Sequence, residues 1–196
     1  MPVKTPGIGK PIIQMAMNND KQLAQKLKEV PAGFLQHDLF NQIARLGVLA
    51  YIELLAFRLN SNDQVEVLLT KRDVTDEFWP NMYHNPGTVL RPNDSDMSFS
   101  SAIDRLMADE YGDQKPEQGP YFAGLWFEQL ERGKGLGIIS WMELNECPVG
   151  KYYPVSKLPN SIIKGQALYI KNVSKKYYDY KCGKFNPTPL EQLILQ

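Results

Sequence analysis

The sequence predicts a mixed α/β (α+β) domain preceded by an N-terminal helical extension. Three observations carry that prediction. Two apolar runs flank four consecutive turn-forming residues, Asn60-Ser61-Asn62-Asp63, which is a hairpin signal. Between Ser98 and Tyr111 apolar residues recur at helical spacing. Further strand-like runs and a long amphipathic segment follow, and the order strands, helix, strands, helix argues for mixed layers.

Composition bounds the function. The chain has 196 residues and is 43% hydrophobic, enough for one domain with a real core. Its 22 basic and 22 acidic residues cancel to a formal net charge of zero, which removes the electrostatic case for a generic nucleic-acid binder. Cys147 and Cys182 are too few for a disulfide scaffold and lack the CxxC spacing of a zinc site. No apolar run is long enough for a membrane span; the longest, Gly47–Phe57, is interrupted by Glu53. The N-terminus shows no secretory pattern, so the expectation is a cytoplasmic protein without membrane partners.

Along the chain, the Pro- and Gly-punctuated residues 1–18 read as an extended arm. Asn19-Asp20 can open a short helix to about Glu29, stopped at Val30-Pro31 because the residue before proline avoids helical backbone. A second helix is expected from Leu35 to Leu46, with Gly47 as its stop. Tyr51–Leu59 and Val65–Lys71 form the hairpin, with Leu55, Phe57 and Leu59 facing the same way as Val65, Val67 and Leu69. Residues 73–98, rich in Pro, Asn and Asp, read as a long loop, and such loops are often functional.

Phe99, Ala102, Ile103, Leu106 and Met107 make the apolar stripe of the next helix, which Asp96 or Ser98 can cap and Gly112 ends. Tyr121–Leu130 and Leu136–Leu144 read as strands joined through Gly133-Lys134-Gly135. A last helix is expected from Asn160 or Ser161 to Tyr178, presenting Ile163, Ala167, Ile170, Val173 and Tyr177. Leu190, Leu193, Ile194 and Leu195 in the tail have helical spacing and motivate an expected homodimer.

The informative stretch is Trp79–Gly112. Asn85-Pro86-Gly87-Thr88-Val89, after the aromatics Trp79 and Tyr83, is followed by Arg105-Leu106-Met107-Ala108-Asp109-Glu110-Tyr111-Gly112. This resembles the signature of the Nudix superfamily, a loop glycine followed by a helix reading Arg-Glu-apolar-x-Glu-Glu-x-Gly-apolar. The resemblance covers about residues 48–178, leaving 1–47 as an extension and 179–196 as a tail. It implies a Nudix-like mixed sheet sandwiched between helices.

The match is degenerate. The position after Arg105 holds Leu106 instead of Glu, the signature's first Glu falls on Met97, and Asp113 replaces an apolar residue. The loop is about four residues longer than the family's, with the extra residues expected within Arg91–Ser98.

Active relatives in that family hydrolyse nucleoside diphosphates linked to another group with Mg²⁺, as the resemblance implies. Mg²⁺ takes hard oxygen ligands in octahedral geometry, and acids at i, i+3 and i+4 share one helix face. Here those positions are Leu106, Asp109 and Glu110. The resemblance gives Asp109 and Glu110 catalytic and metal-holding roles, with the Gly87 carbonyl as a further ligand, and makes Arg105 and Gly112 structural. Asp94, Asp96, Glu117, Glu143 and Glu146 are the candidates to replace the missing acid.

Each residue also has a plainer reading. Arg105 and Asp109 can be an exposed i, i+4 ion pair, Asp109 and Glu110 a solvated helix end, Leu106 core, and Gly87 a turn glycine. Lys71 and Arg72 end a strand where a cation can meet a phosphate, and Trp79, Tyr83 and His84 could stack a base or pin the loop. His37 and His84 are the only histidines, which argues against zinc.

Two functions are therefore expected in parallel. One is binding of a nucleotide-like ligand with reduced or absent hydrolysis. The other is a Mg²⁺-dependent pyrophosphohydrolase using a substitute carboxylate.

Overall fold

The computed structural model describes residues 20–31, 35–94, 99–131 and 133–193. Everything up to Leu35 falls in one unit and everything from Gln36 onward in a second. In the first unit, residues 20–28 form a helix (α1) that ends just before Val30-Pro31. Asn19, its expected cap, lies outside the described residues.

The second unit opens with helix α2 (His37–Leu46), which Gly47 terminates. Strands β1 (Val48–Leu59) and β2 (Val65–Lys71) then form the expected hairpin, paired antiparallel through Phe57 and Val67. The loop after it is less irregular than the sequence suggests, because it carries two short strands, β3 (Tyr83–His84) and β4 (Gly87–Val89). Helix α3 (Ser100–Tyr111) follows. Its expected caps, Asp96 and Ser98, lie outside the described residues.

Strands β5 (Gln118–Leu130) and β6 (Gly133–Glu143) are longer than expected, so Gly133, Lys134 and Gly135 belong to β6 and not to the connection. Their backbones pair with Leu130, Gln129 and Glu128. Strand β7 (Lys151–Pro154) leads to helix α4 (Gln166–Lys181). That helix starts later than Asn160 because the segment before it is held elsewhere: the Tyr83 amide donates to the Ser161 carbonyl at 2.8 Å, and the Ile163 amide donates to the Tyr83 carbonyl at 2.9 Å.

The seven described strands form one mixed sheet in the order β3-β2-β1-β6-β5, with β4 also on β1 and β7 on β2. The β1–β6 pair is parallel and runs from Val48↔Lys134 to Phe57↔Glu143. With neighbours on both sides and helices on both faces, β1 is buried as a nearly continuous apolar run. One face of the sheet packs Leu55, Phe57, Val67, Leu69, Ile139 and Trp141 against Tyr169, Ile170, Val173 and Tyr177 of α4. The other packs Leu54, Ala56, Leu68, Met142 and Leu144 against Leu106 and Tyr111 of α3. Alternation along β1 thus divides the two layers.

Leu190 is buried within this unit, because residues Leu190–Leu193 form a short 3₁₀ turn beside β5. It therefore does not supply the exposed face from which a homodimer was expected; Ile194 and Leu195 lie outside the described residues. Among the described residues no helix is long and apolar enough to cross a membrane.

Candidate functional site around helix α3

Helix α3 is set by its apolar stripe. Leu106 and Tyr111 are fully buried, and the Tyr111 hydroxyl donates to the Leu54 carbonyl of β1. Gly112 ends the helix in left-handed backbone (φ 63°), and a Cβ there would stand 3.2 Å from Pro148. Both the conformation and the space favour glycine. The structural expectation for Gly112 fits this geometry.

Arg105 does not pair with Asp109. Its guanidinium bonds the Thr88 hydroxyl, donates to the Val89 carbonyl at 3.3 Å and reaches both Asp94 oxygens at 2.9 and 3.1 Å. Asp94 also accepts from the Arg91 amide at 2.7 Å. Burial works against the Asp94 charge, but that amide and the guanidinium hold its carboxyl below the usual range. Arg105 thus ties β4 and the following loop to α3, and Asp94 is fully engaged in doing so.

Gly87 is a strand residue, not a turn glycine. It pairs with Glu53 across the β1–β4 ladder, and a Cβ would lie 2.9 Å from the Glu53 carboxyl and from the Ile52 carbonyl. Close approach, and not unusual backbone, is what requires glycine here. Glu53 accepts from the Asn85 side-chain amide at 2.8 Å, and the Asn85 backbone amide donates to Gln166 at the start of α4 at 2.7 Å. The sequence signal for Glu53 was its interruption of the apolar run; neither its partner nor its face could be read there.

On the far side of the loop, Arg72 ends up against Trp79. The Arg72 guanidinium stands 5.5 Å from the indole ring and donates to Asp76 at 3.1 Å. Asp76 is itself fixed by the amides of Phe78 and Trp79 at 3.1 and 2.8 Å. Trp79 is buried, with its N–H bonded to Glu131 at 3.1 Å, the geometry of a loop anchor and not of an open stacking platform. Tyr83 is half-buried, edge-on to Tyr153 at 5.4 Å, with the Lys71 ammonium 5.9 Å from its ring.

His84 is buried between Thr70 and Asn85. Its Nδ1 lies 2.9 Å from the Asn85 carbonyl and its Nε2 2.9 Å from the Thr70 hydroxyl. A carbonyl only accepts, so Nδ1 carries the proton and Nε2 accepts from Thr70. Burial, helped by the nearby Arg72 charge, pushes His84 down to about 4.

The two box acids differ. Asp109 is exposed and Glu110 half-buried. Burial raises the Glu110 carboxyl above its ordinary value; the Arg72 charge opposes that rise and Asp109 adds to it. Of the predicted site residues, the structure brings Arg72 and Trp79 into contact.

No family model matches the sequence, and no curated protein matches it. Solved structures do. A Nudix hydrolase from Alicyclobacillus acidocaldarius aligns with a TM-score of 0.55 at 13% identity, over 74% of this chain and 98% of that one. The Nudix domain of Shewanella oneidensis NrtR complexed with ADP ribose aligns at 0.54 and 13% identity, over 73% and 99%. The chain has the Nudix fold. NrtR complexed with a 27mer DNA also aligns, at 0.51 and 14% identity, over 65% of this chain and 61% of that one.

The donor set around the Nudix helix does not fit the family's Mg²⁺ site. Leu106 fills core where the third acid would stand. Asp94 is bound to Arg105, and Glu143 is buried against Lys181 at 2.7 Å and Tyr177 at 3.2 Å. Glu117 and Glu146 are exposed, and Asp96 lies outside the described residues. Glu53 belongs to the alternate set of β1 residues that faces α4, whereas α3 packs on the other face. Among the described residues no group of three or more His, Cys, Asp or Glu side chains is placed to share a metal ion.

Proposed function

We propose that this Nudix-fold chain binds a nucleotide-like ligand, a nucleoside diphosphate linked to another group, with reduced or absent hydrolysis. The observation that carries the reading is Leu106: the residue in the acid's place is 1% exposed and packed between β1, β2 and β6. Metal catalysis needs the cation held where it can activate water and stabilise charge, and with Leu106 in place of an acid only Asp109 and Glu110 are left on this helix to hold it, so metal binding is expected to be weaker than with three carboxylates. Arg72 at the end of β2 offers the phosphate a cation, and Asp109, Glu110 and Gly87 remain as the residual box. The balanced net charge supports a small anionic ligand over a nucleic acid.

Titration calorimetry against ADP-ribose and related nucleoside diphosphate compounds tests the reading, with nucleoside monophosphate release followed in parallel. The expected result is binding with no Mg²⁺-stimulated release. Mg²⁺-stimulated turnover that disappears in the Asp109→Asn/Glu110→Gln double variant would establish the pyrophosphohydrolase reading in its place.

A further inference from the structure

We propose that Trp126, Glu128 and Tyr169 hold the base of the nucleotide-like ligand and select a base that carries an amino group. The inference rests on the nucleotide-binding reading above and names the class of nucleotide. It starts from a buried hydroxyl to which the fold gives no partner. Tyr169 of α4 is 3% exposed, and its Oη forms no hydrogen bond. A buried polar group in that state calls for a reason.

Contacts around it form a ring over β6. The Tyr169 ring meets the Trp126 ring of β5 edge-on at 5.8 Å. The Trp126 indole donates to Glu128 at 2.9 Å, and the Tyr51 hydroxyl of β1 donates to the other oxygen of the same carboxylate. Tyr51 reaches β5 across β6 because Gly135 and Gly137 leave room: a Cβ at either would stand 2.7 Å from its ring. One turn earlier on α4, Gln166 accepts from the Asn85 backbone amide, and the Asn85 side chain donates to Glu53. Burial, then the neighbouring Glu53, Tyr51 and Glu128, push the Tyr169 hydroxyl well above its ordinary pKa.

The chemistry of this ring is one-sided. An ionised carboxylate only accepts, and its two oxygens keep lone pairs beyond one donor each. The Asn85 Oδ1 atom is also buried and accepts no hydrogen bond. A ligand fits if it brings N–H donors. The amino group of adenine or cytosine does so, whereas hypoxanthine and uracil present a carbonyl oxygen at that place. Trp126 and Glu128 are half-buried, so a planar ring can reach them from solvent and pack on the indole. Position agrees with this role. Glu53 pairs with Gly87 of the residual box on β1, and β5 lies two strands further along the sheet, about 10 Å away, the kind of separation a nucleotide spans between its phosphates and its base.

Titration calorimetry of the full chain compares ADP-ribose with its inosine counterpart, which carries a carbonyl oxygen where adenine carries the amino group. A site built to hydrogen-bond a group rejects the analogue lacking it, so ADP-ribose is expected to bind about tenfold or more tightly. Glu128→Gln, which sets an NH₂ donor in the carboxylate, narrows that preference to within about threefold. Tyr169→Phe weakens ADP-ribose by about threefold or more and leaves Tm unchanged, because the hydroxyl it removes bonds no protein group.

Equal affinity for the two ligands in the wild type overturns the inference and leaves nucleotide binding intact. A preference for ADP-ribose that survives both Glu128→Gln and Tyr169→Phe overturns it as well, since the amino group is then read elsewhere. Absence of binding by either ligand overturns the nucleotide reading together with this one. Thermal melting identifies a variant that fails to fold, and the comparison of the two ligands on the wild type decides independently of it.

Discussion

Replacing Leu106 by Glu writes the missing box acid back into the chain, and the structure predicts that the fold will reject it. The Leu106 side chain is surrounded by Leu54, Ala56, Leu68, Met142 and Leu144, with the Tyr111 hydroxyl already committed to the Leu54 carbonyl. Losing a buried leucine's packing costs about 2–5 kcal/mol. A buried polar head without a partner adds about 2 kcal/mol or more, so Leu106→Glu should cost roughly 5 kcal/mol near neutral pH. That is comparable to the whole stability of many domains, and at about 2–4 °C per kcal/mol it lowers Tm by roughly 10–20 °C.

The penalty carries a pH signature. Burial raises the introduced carboxyl's pKa in the folded state above its unfolded value, so the folded state holds the proton more tightly. Stability is then retained below the unfolded pKa and lost as pH rises towards the folded one. Urea unfolding followed by the fluorescence of buried Trp141, at about pH 5 and about pH 7, should show the deficit shrinking at the lower pH. Leu106→Met, which roughly conserves volume, should cost about 1 kcal/mol. A Leu106→Glu protein as stable as wild type at neutral pH, gaining Mg²⁺-dependent hydrolysis, would refute the assignment of this position to the core.

Three further predictions test the frame around the site. Gly87→Ala places a methyl 2.9 Å from the Ile52 carbonyl and the Glu53 carboxyl; backbone cannot yield as a side-chain tip can, so a loss of about 1–3 kcal/mol is expected in chemical denaturation. Arg105→Ala removes the tie between α3, Thr88, Val89 and Asp94 and should cost about 1–3 kcal/mol, and a double-mutant cycle with Asp94→Asn should give a coupling well above that of an exposed pair. His84, neutral and pushed down to about 4, supports stability above the ordinary value of 6.5 and loses it as pH falls towards 4. That amounts to roughly 3 kcal/mol by linkage, and His84→Gln should flatten the acid limb of a urea-midpoint curve.

Much of the frame was legible because its signals are local. The hairpin faces, Leu55-Phe57-Leu59 against Val65-Val67-Leu69, all pack in or against one cluster, since strand alternation follows from backbone geometry alone. The α3 stripe and its glycine stop were equally readable. Strands β3 and β4 were not, because two or three residues carry no periodicity and their pairing is decided by distant partners, Thr70 for His84 and Glu53 for Gly87. The particular partners of Arg105 were not readable for the same reason. Helical spacing offers Asp109, but the loop folds Asp94 back against the guanidinium, and sequence spacing cannot anticipate that return. Glu53 was visible only as an irregularity in an apolar run, and its face became readable once β1 was seen to lie between β4 and β6.

The division of labour within α3 explains how this fold can persist with an incomplete box. Attachment to the sheet depends on Ala102, Leu106 and Tyr111, all buried, and on the Arg105 tie to the loop. Neither depends on Asp109, which is exposed, or on a bound cation. In the family signature the residue after the arginine is an acid, so a leucine there adds apolar contact to the sheet while removing a ligand from the site. Because fold alone does not give function, the proposed ligand binding has to be tested at residues outside that scaffold role, such as Arg72 and Glu110.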